Sequence, residues 1–241
     1  MPLTNEQNLT SITQSKDEIL RILSHDLRSP LQSVLGLTQL LEMEVDGLNN
    51  ANINQYIQLI RESCNFANNL MADLLDTHSL EEGNEQLHLV PVKLADLLTD
   101  VCQMFRQQAQ KKEIEIDLSA EKAQDLQIEL DATKVTQAFN NILSNAIKFT
   151  PNRGKVQVTL EDQPNCAQIQ VTDTGIGIPE DKIPVLFDKF TKARRAGTSG
   201  EKTTGLGMSI TKQIIDQHDG EIAVNSKVNE GTTFTIKFFK D

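Results

Sequence analysis

Asn140-Asn141-Ile142-Leu143-Ser144-Asn145-Ala146-Ile147-Lys148-Phe149-Thr150 sets polar side chains against an apolar backing. Asn141, Asn145 and Lys148 recur at four- and three-residue spacing, so a helix carries them on one face. Asn-rich helices are ordinarily solvated or capping. Here two carboxamides and an ammonium share a face flanked by Ile142, Leu143 and Ile147, which invites a site. A carboxamide oxygen suits Mg²⁺, a hard cation that keeps most of its waters and takes phosphate oxygens for other positions.

Outward from this helix the chain breaks into short alternating or apolar runs at 114–118, 126–130, 156–160, 169–171, 222–224 and 234–238. Helix candidates lie at 94–110, 133–149 and 206–217. The pattern predicts an α/β sandwich, one sheet with helices on one face. After the strand-like run 167–171 comes Asp173-Thr174-Gly175-Ile176-Gly177-Ile178-Pro179, whose glycines let backbone approach a ligand. Most isolated GxG sequences are ordinary turns, but the preceding strand and Pro179 set this one apart. Gly205-Leu206-Gly207-Met208-Ser209-Ile210 leads glycines into a helix whose free N–H groups and dipole favour phosphate. Between them stand Phe187-Asp188-Lys189-Phe190 and a polar run over 191–204 with Lys192, Arg194, Arg195 and Lys202, which by composition is a mobile loop. Gly231-Thr232-Thr233-Phe234 opens the last strand.

The N-terminal third reads differently. Leu9, Ile12, Lys16, Ile19 and Leu23 alternate three and four residues apart, and Leu27, Leu31, Val34, Thr38 and Leu41 resume in a shifted register. Pro30 sits at the shift and predicts a bend beside His25. In Ser24-His25-Asp26-Leu27-Arg28-Ser29-Pro30-Leu31 the imidazole lies two residues from both Leu23 and Leu27, off the apolar stripe. A surface histidine fits that position, and so does a nucleophile beside its orienting carboxylate. Turn residues at 46–50 precede a second helical stripe of Ile53, Ile57, Ile60, Cys64, Ala67, Met71 and Leu74. Stripes this long are not buried within one hairpin, so two hairpins are expected to pair as a four-helix bundle.

These five motifs, with Phe187-Asp188-Lys189-Phe190 between the two glycine motifs, stand in the order and spacing of sensor histidine kinases, and the chain resembles that family from Lys16 to Phe239. The resemblance implies a dimeric helical hairpin followed by the Bergerat ATP-binding fold. It divides the chain into a lead-in over 1–15, a dimerisation and phosphotransfer domain over 16–80, a linker over 81–90 and an ATP-binding domain over 91–241. It makes His25 the phosphoacceptor with Asp26 beside it, and Asn145 the Mg²⁺ ligand with Asn141 acting through the hydration shell. Lys148 meets the phosphates and Phe149 walls the pocket. Asp173 accepts from the adenine amino group, with Gly175 and Gly177 close to the base and Thr232 joining through its hydroxyl. Gly205, Leu206 and Gly207 lie at the phosphates, and 191–204 becomes the ATP lid. Family members often carry another glycine where this chain has Thr203, a departure at the lid hinge.

The same ATP fold serves gyrase, mismatch-repair and chaperone ATPases, which place a glutamate four residues before the magnesium asparagine. Here that position is Asn141, and a carboxamide is no general base near neutral pH. The nucleophile is then His25, whose neutral ring offers a lone pair. The expected product is a phosphohistidine handed to an aspartate of a response-regulator receiver domain on another protein. Ser29 stands where bifunctional members commonly have threonine or asparagine, so kinase activity is expected to outweigh phosphatase activity. A phosphatase-dominant regulator and an ATP-binding scaffold are the alternatives.

Composition narrows the partners. The 241 residues carry 23 Lys plus Arg against 34 Asp plus Glu, a net charge of −11, with no Trp and 4% aromatics, which argues against nucleic acid. Cys64, Cys102 and Cys166 are widely spaced without a CxxC, as expected of reduced thiols in a cytoplasm. No apolar run approaches the roughly 20 residues that span a bilayer. A membrane connection is expected only through an N-terminal sensor segment outside this chain, and the input otherwise arrives on another chain.

Overall fold

The computed structural model describes residues 31–43, 51–81, 86–189, 195–201 and 203–240. The chain divides into two compact units, Met1–Gly83 and Asn84–Asp241. Expectations for His25, Asp26, Ser29, the Pro30 bend and the turn at 46–50 lie outside the described residues.

The first unit contains a helix over 31–43 (α1) and a 31-residue helix, Ala51–Glu81 (α2). Arg61 of α2 ion-pairs with Glu42 of α1 at 3.0 Å. Ile57, Cys64 and Met71 are buried, spaced by seven residues, as the stripe on α2 requires. Thr38 is buried on α1, its hydroxyl donating to the Leu35 carbonyl at 2.7 Å. Val34, Leu37, Leu40, Leu41, Met43, Leu59 and Ile60 remain exposed.

The second unit begins with a short strand, Val90–Lys93 (β1), and an amphipathic helix, Leu94–Lys111 (α3). Strands Glu115–Ser119 (β2) and Gln127–Leu130 (β3) follow, then helix Ala132–Phe149 (α4). Strands Lys155–Asp162 (β4) and Cys166–Asp173 (β5) form a hairpin. Helix Gly207–Gln217 (α5) precedes a second hairpin, Glu221–Lys227 (β6) and Gly231–Phe239 (β7). The five-stranded sheet runs β2-β4-β5-β7-β6, antiparallel except for the β2–β4 pair. Alternate residues of β4, β5 and β7 are fully buried, Val156, Val158, Ile169, Val171, Ile236 and Phe238 among them. α4 packs against β5, and its Val135, Phe139, Ile142, Leu143 and Ile147 are also buried, as its 3.6-residue period demands.

The single sheet of the sequence reading is corrected here. The run at 126–130 belongs not to the main sheet but to a separate two-stranded sheet, where β3 pairs antiparallel with β1. A four-residue strand containing Pro91 gives no alternation signal, and Pro confines it to an edge.

Asp131 caps α4, its Oδ1 accepting from the N–H groups of Thr133 and Lys134 at 3.1 Å each. Its own N–H donates to His218 Nε2 at 3.0 Å, and His218 Nδ1 lies 2.8 Å from the Ile214 carbonyl. The ring meets Phe238 edge-on. His218 is thus a structural pin between α5 and the start of α4, while His88 is exposed.

Candidate functional site

β5 ends on Asp173, which is 5% exposed. Its Oδ1 accepts from the N–H of Gly175 at 2.8 Å and of Thr232 at 3.3 Å. Burial pushes its carboxyl up to about 6, and the two N–H bonds pull the other way. The turn beyond is built by close approach. Gly177 has φ +64°, and a Cβ there would stand 2.0 Å from the Lys227 carbonyl oxygen. A Cβ on Gly175 would meet Asp173 Oδ1 at 2.5 Å and the Phe149 carbonyl at 2.6 Å. Ile176 N–H donates to that same Phe149 carbonyl at 3.1 Å, so the glycine turn is stitched to the end of α4.

Thr232 reaches Asp173 directly through its backbone N–H. The hydroxyl lies 2.8 Å from Ser226 Oγ, which accepts from Ile178 N–H at 2.8 Å and donates to the Gly231 carbonyl at 2.9 Å. Ser226 therefore knits the glycine turn to β7.

On α4, Asn141 Nδ2 donates to the Gly207 carbonyl at 3.1 Å, and Asn145 Nδ2 donates to Met208 Sδ at 3.2 Å. Each carboxamide binds the first turn of α5 through its nitrogen, leaving oxygen as the atom suited to a cation. Among the described residues no group of three His, Cys, Asp or Glu is placed to hold a metal, so a cation here relies on carboxamide and phosphate oxygens. Leu206 precedes α5 as its N-cap and makes no side-chain cap bond, which leaves the first-turn N–H groups without that partner. Gly205 has φ +81°, the left-handed conformation that turns the chain into α5. Arg195 lies over the Phe149 ring, 5.5 Å from its centroid, and donates to the Gly177 carbonyl at 2.7 Å. Thr203, where relatives often have glycine, donates to the Arg195 carbonyl at 3.0 Å and closes the base of this loop.

The model of the histidine kinase-, DNA gyrase B- and HSP90-like ATPase family matches residues 130–241, and that of the His Kinase A (phospho-acceptor) domain matches residues 15–83. The solved catalytic domain of histidine kinase ThkA is 30% identical with a TM-score of 0.56, and 64% of this chain covers 97% of it. This chain belongs to the histidine kinase family. Full-length histidine kinase ShkA, solved in complex with AMPPNP, is 30% identical with a TM-score of 0.70 over 92% of this chain and 46% of that one. The circadian input-output histidine kinase CikA of Synechococcus elongatus is 34% identical over 224 residues, 92% of this chain and 30% of the relative. The autoinducer 2 sensor kinase/phosphatase LuxQ of Vibrio vulnificus is 30% identical over 92% of this chain and 26% of the relative. The chain thus spans less than a third of these curated relatives.

In this histidine kinase fold the structure brings Asn141, Asn145, Asp173, Gly175, Gly177, Phe149, Gly205, Leu206, Gly207 and Thr232 around one end of α4 and the start of α5. Lys148 stands on the last turn of α4. Two participants escaped the sequence reading, Ser226 and Lys112, the latter described below. Both act through partners on other elements, and neither sits in a motif. Among the described residues no helix is long and apolar enough to cross a membrane.

Proposed function

We propose that this chain is the catalytic core of a sensor histidine kinase, binding ATP with Mg²⁺ at the Asp173, Asn145 and Gly207 end of its second unit and phosphorylating itself on His25. One observation carries the reading. A buried carboxylate with backbone donors on one oxygen, two asparagines on one helix face and an uncapped helix start converge without any carboxylate at position 141. Such a site orients a nucleotide and offers no base to activate water. The family's ATPase domain and the AMPPNP complex of ShkA support nucleotide binding.

In the transfer, a ring nitrogen of His25 attacks the γ-phosphorus while the bond to the bridging oxygen of ADP breaks, and Asp26 accepts from the other ring N–H. Asn145 would hold Mg²⁺, which when bound would neutralise charge on the phosphates, and Lys148 adds its own positive charge there. A phosphoramidate on imidazole is labile and suits passage to an aspartate of a response-regulator receiver domain. The exposed leucines of α1 and α2 support a homodimer through residues 10–80. The name of LuxQ, a sensor kinase/phosphatase, favours a second reading in which this chain also strips phosphate from its receiver, with Ser29 orienting water less firmly than threonine does.

Incubation with γ-labelled ATP and Mg²⁺ tests the proposal. The full chain is expected to gain an acid-labile, alkali-stable phosphoryl group. His25→Gln is expected to bind ATP and gain none, and undiminished labelling of that variant refutes the assignment.

A further inference from the structure

Lys112 follows the last residue of α3 and is 7% exposed, an uncommon state for a lysine unless it is fully partnered. Its ammonium stands 2.8 Å from the Ile147 carbonyl, 3.2 Å from the Lys148 carbonyl, 2.7 Å from Thr198 Oγ1 and 3.2 Å from Glu201 Oε1. The first two acceptors are last-turn carbonyls of α4, which helix geometry leaves without intrahelical donors at the negative end of the dipole. The other two belong to the 195–201 loop, which connects to the glycine motif ahead of α5.

That loop is folded around its own acid. Glu201 Oε2 accepts from Ser199 N–H at 2.8 Å, and the Glu201 carbonyl accepts from Gly197 N–H at 2.9 Å. A Cβ on Gly197 would stand 2.3 Å from Glu201 Oε2 and 3.0 Å from the Lys148 carbonyl. Thr198 adds its N–H to the Lys148 carbonyl at 2.8 Å, and its hydroxyl lies 3.0 Å from the Thr150 carbonyl. Burial raises the Glu201 carboxyl, but its own backbone N–H, the Ser199 N–H and the Lys112 ammonium together hold it below its usual range. At its other end the loop places Arg195 across Phe149 and Gly177, two walls of the site.

The two partners are unequally committed. If the loop departs, Lys112 retains the helix carbonyls, whereas Glu201, with a side chain already 25% exposed, passes into water. The contact is therefore separable, unlike a core ion pair whose rupture strands both charges. We propose that Lys112 and Glu201 form a positioning latch, which seats the 195–201 loop on the end of α4 and thereby slows release of bound nucleotide. This deepens the ATP-site reading and rests on it. Neither residue is assigned to touch the nucleotide.

The test compares the full chain with Glu201→Gln, Lys112→Met, Thr198→Val and the Lys112→Met/Glu201→Gln double variant. AMPPNP with Mg²⁺ is the probe, its dissociation followed by stopped flow, and tryptic cleavage after Arg195 is timed without nucleotide. Each single variant is expected to release AMPPNP about tenfold faster, a change typical of losing one partner of a charge-assisted bond. The double variant is expected to match the worse single, and cleavage after Arg195 to quicken in all. A purely structural ion pair lowers the melting temperature and leaves dissociation unchanged. Unchanged dissociation or unchanged cleavage in Glu201→Gln, or additive effects in the double variant, overturns the latch. If Lys112→Met fails to fold, Glu201→Gln and Thr198→Val still decide. Failure of the parent to bind AMPPNP refutes the ATP-site reading instead, and the tryptic comparison then judges the latch alone.

Discussion

At Asp173 the demands of folding and of binding oppose each other. Its carboxyl is raised by burial from 3.8 to about 6 despite two N–H bonds. A folded value above the unfolded one means that its contribution to stability is complete below about pH 4 and is lost as the pH rises through about 6. At neutral pH the ionised group therefore costs on the order of 2–3 kcal/mol. Asp173→Asn is accordingly expected to melt at the same or a higher temperature than the parent at pH 7 while losing AMPPNP affinity by about a hundredfold. Differential scanning calorimetry and titration calorimetry read the two effects, and retained affinity contradicts the adenine assignment. In the parent, AMPPNP affinity is expected to rise between pH 5 and 7 with a midpoint of about 6, as the carboxylate becomes a charged acceptor. The place of this aspartate at the end of β5 was legible because it stands in a contiguous motif after a strand. Ser226 was not, since its three partners come from 48, 5 and 6 residues away and none belongs to its own run of sequence.

Helices α4 and α5 meet where the asparagines of one bind the first turn of the other, so the proposed cation and phosphate sites share one helix junction. Asn145→Ala is expected to bind nucleotide without Mg²⁺ as the parent does and to lose most of the gain that Mg²⁺ brings. Paired titrations with Mg²⁺ and with chelator measure this, and an unchanged magnesium effect removes Asn145 from the metal. The glycine turn tolerates nothing larger. Gly177→Ala forces a Cβ against the Lys227 carbonyl at positive φ and is expected to destabilise the second unit by about 2 kcal/mol or more, read by urea unfolding. Strongly periodic elements were plain in sequence, α3 and α4 to within one residue, because amphipathic period and burial coincide. β1 was not, because four residues that pair only with β3 and include a proline carry no period.

For the whole molecule the open question is what covers the exposed leucines of α1 and α2. A dimer is expected for the full chain at micromolar concentration by light scattering, with residues 86–241 monomeric and competent for AMPPNP. The fragment begins at 86 because Val90 pairs with Leu130 and the His88 N–H donates to Asp131, contacts that a cut at 91 removes. A monomeric full chain defeats the expectation. The order in which the sheet assembles is a separate matter. Hairpins β4–β5 and β6–β7 close over three-residue turns, whereas the one parallel pair, β2 with β4, waits for the intervening 120–154 segment with β3 and α4 to be gathered in. Closing a long loop comes late, since its entropy is lost before any contact repays it. In pulsed hydrogen exchange during refolding, β2 amides are expected to gain protection after those of β5 and β7. Lys112 stands three residues ahead of β2, so its seat under the loop is finished only when that edge strand joins. A newly made chain is thus expected to close its two hairpins before the loop beside the proposed nucleotide site finds its seat.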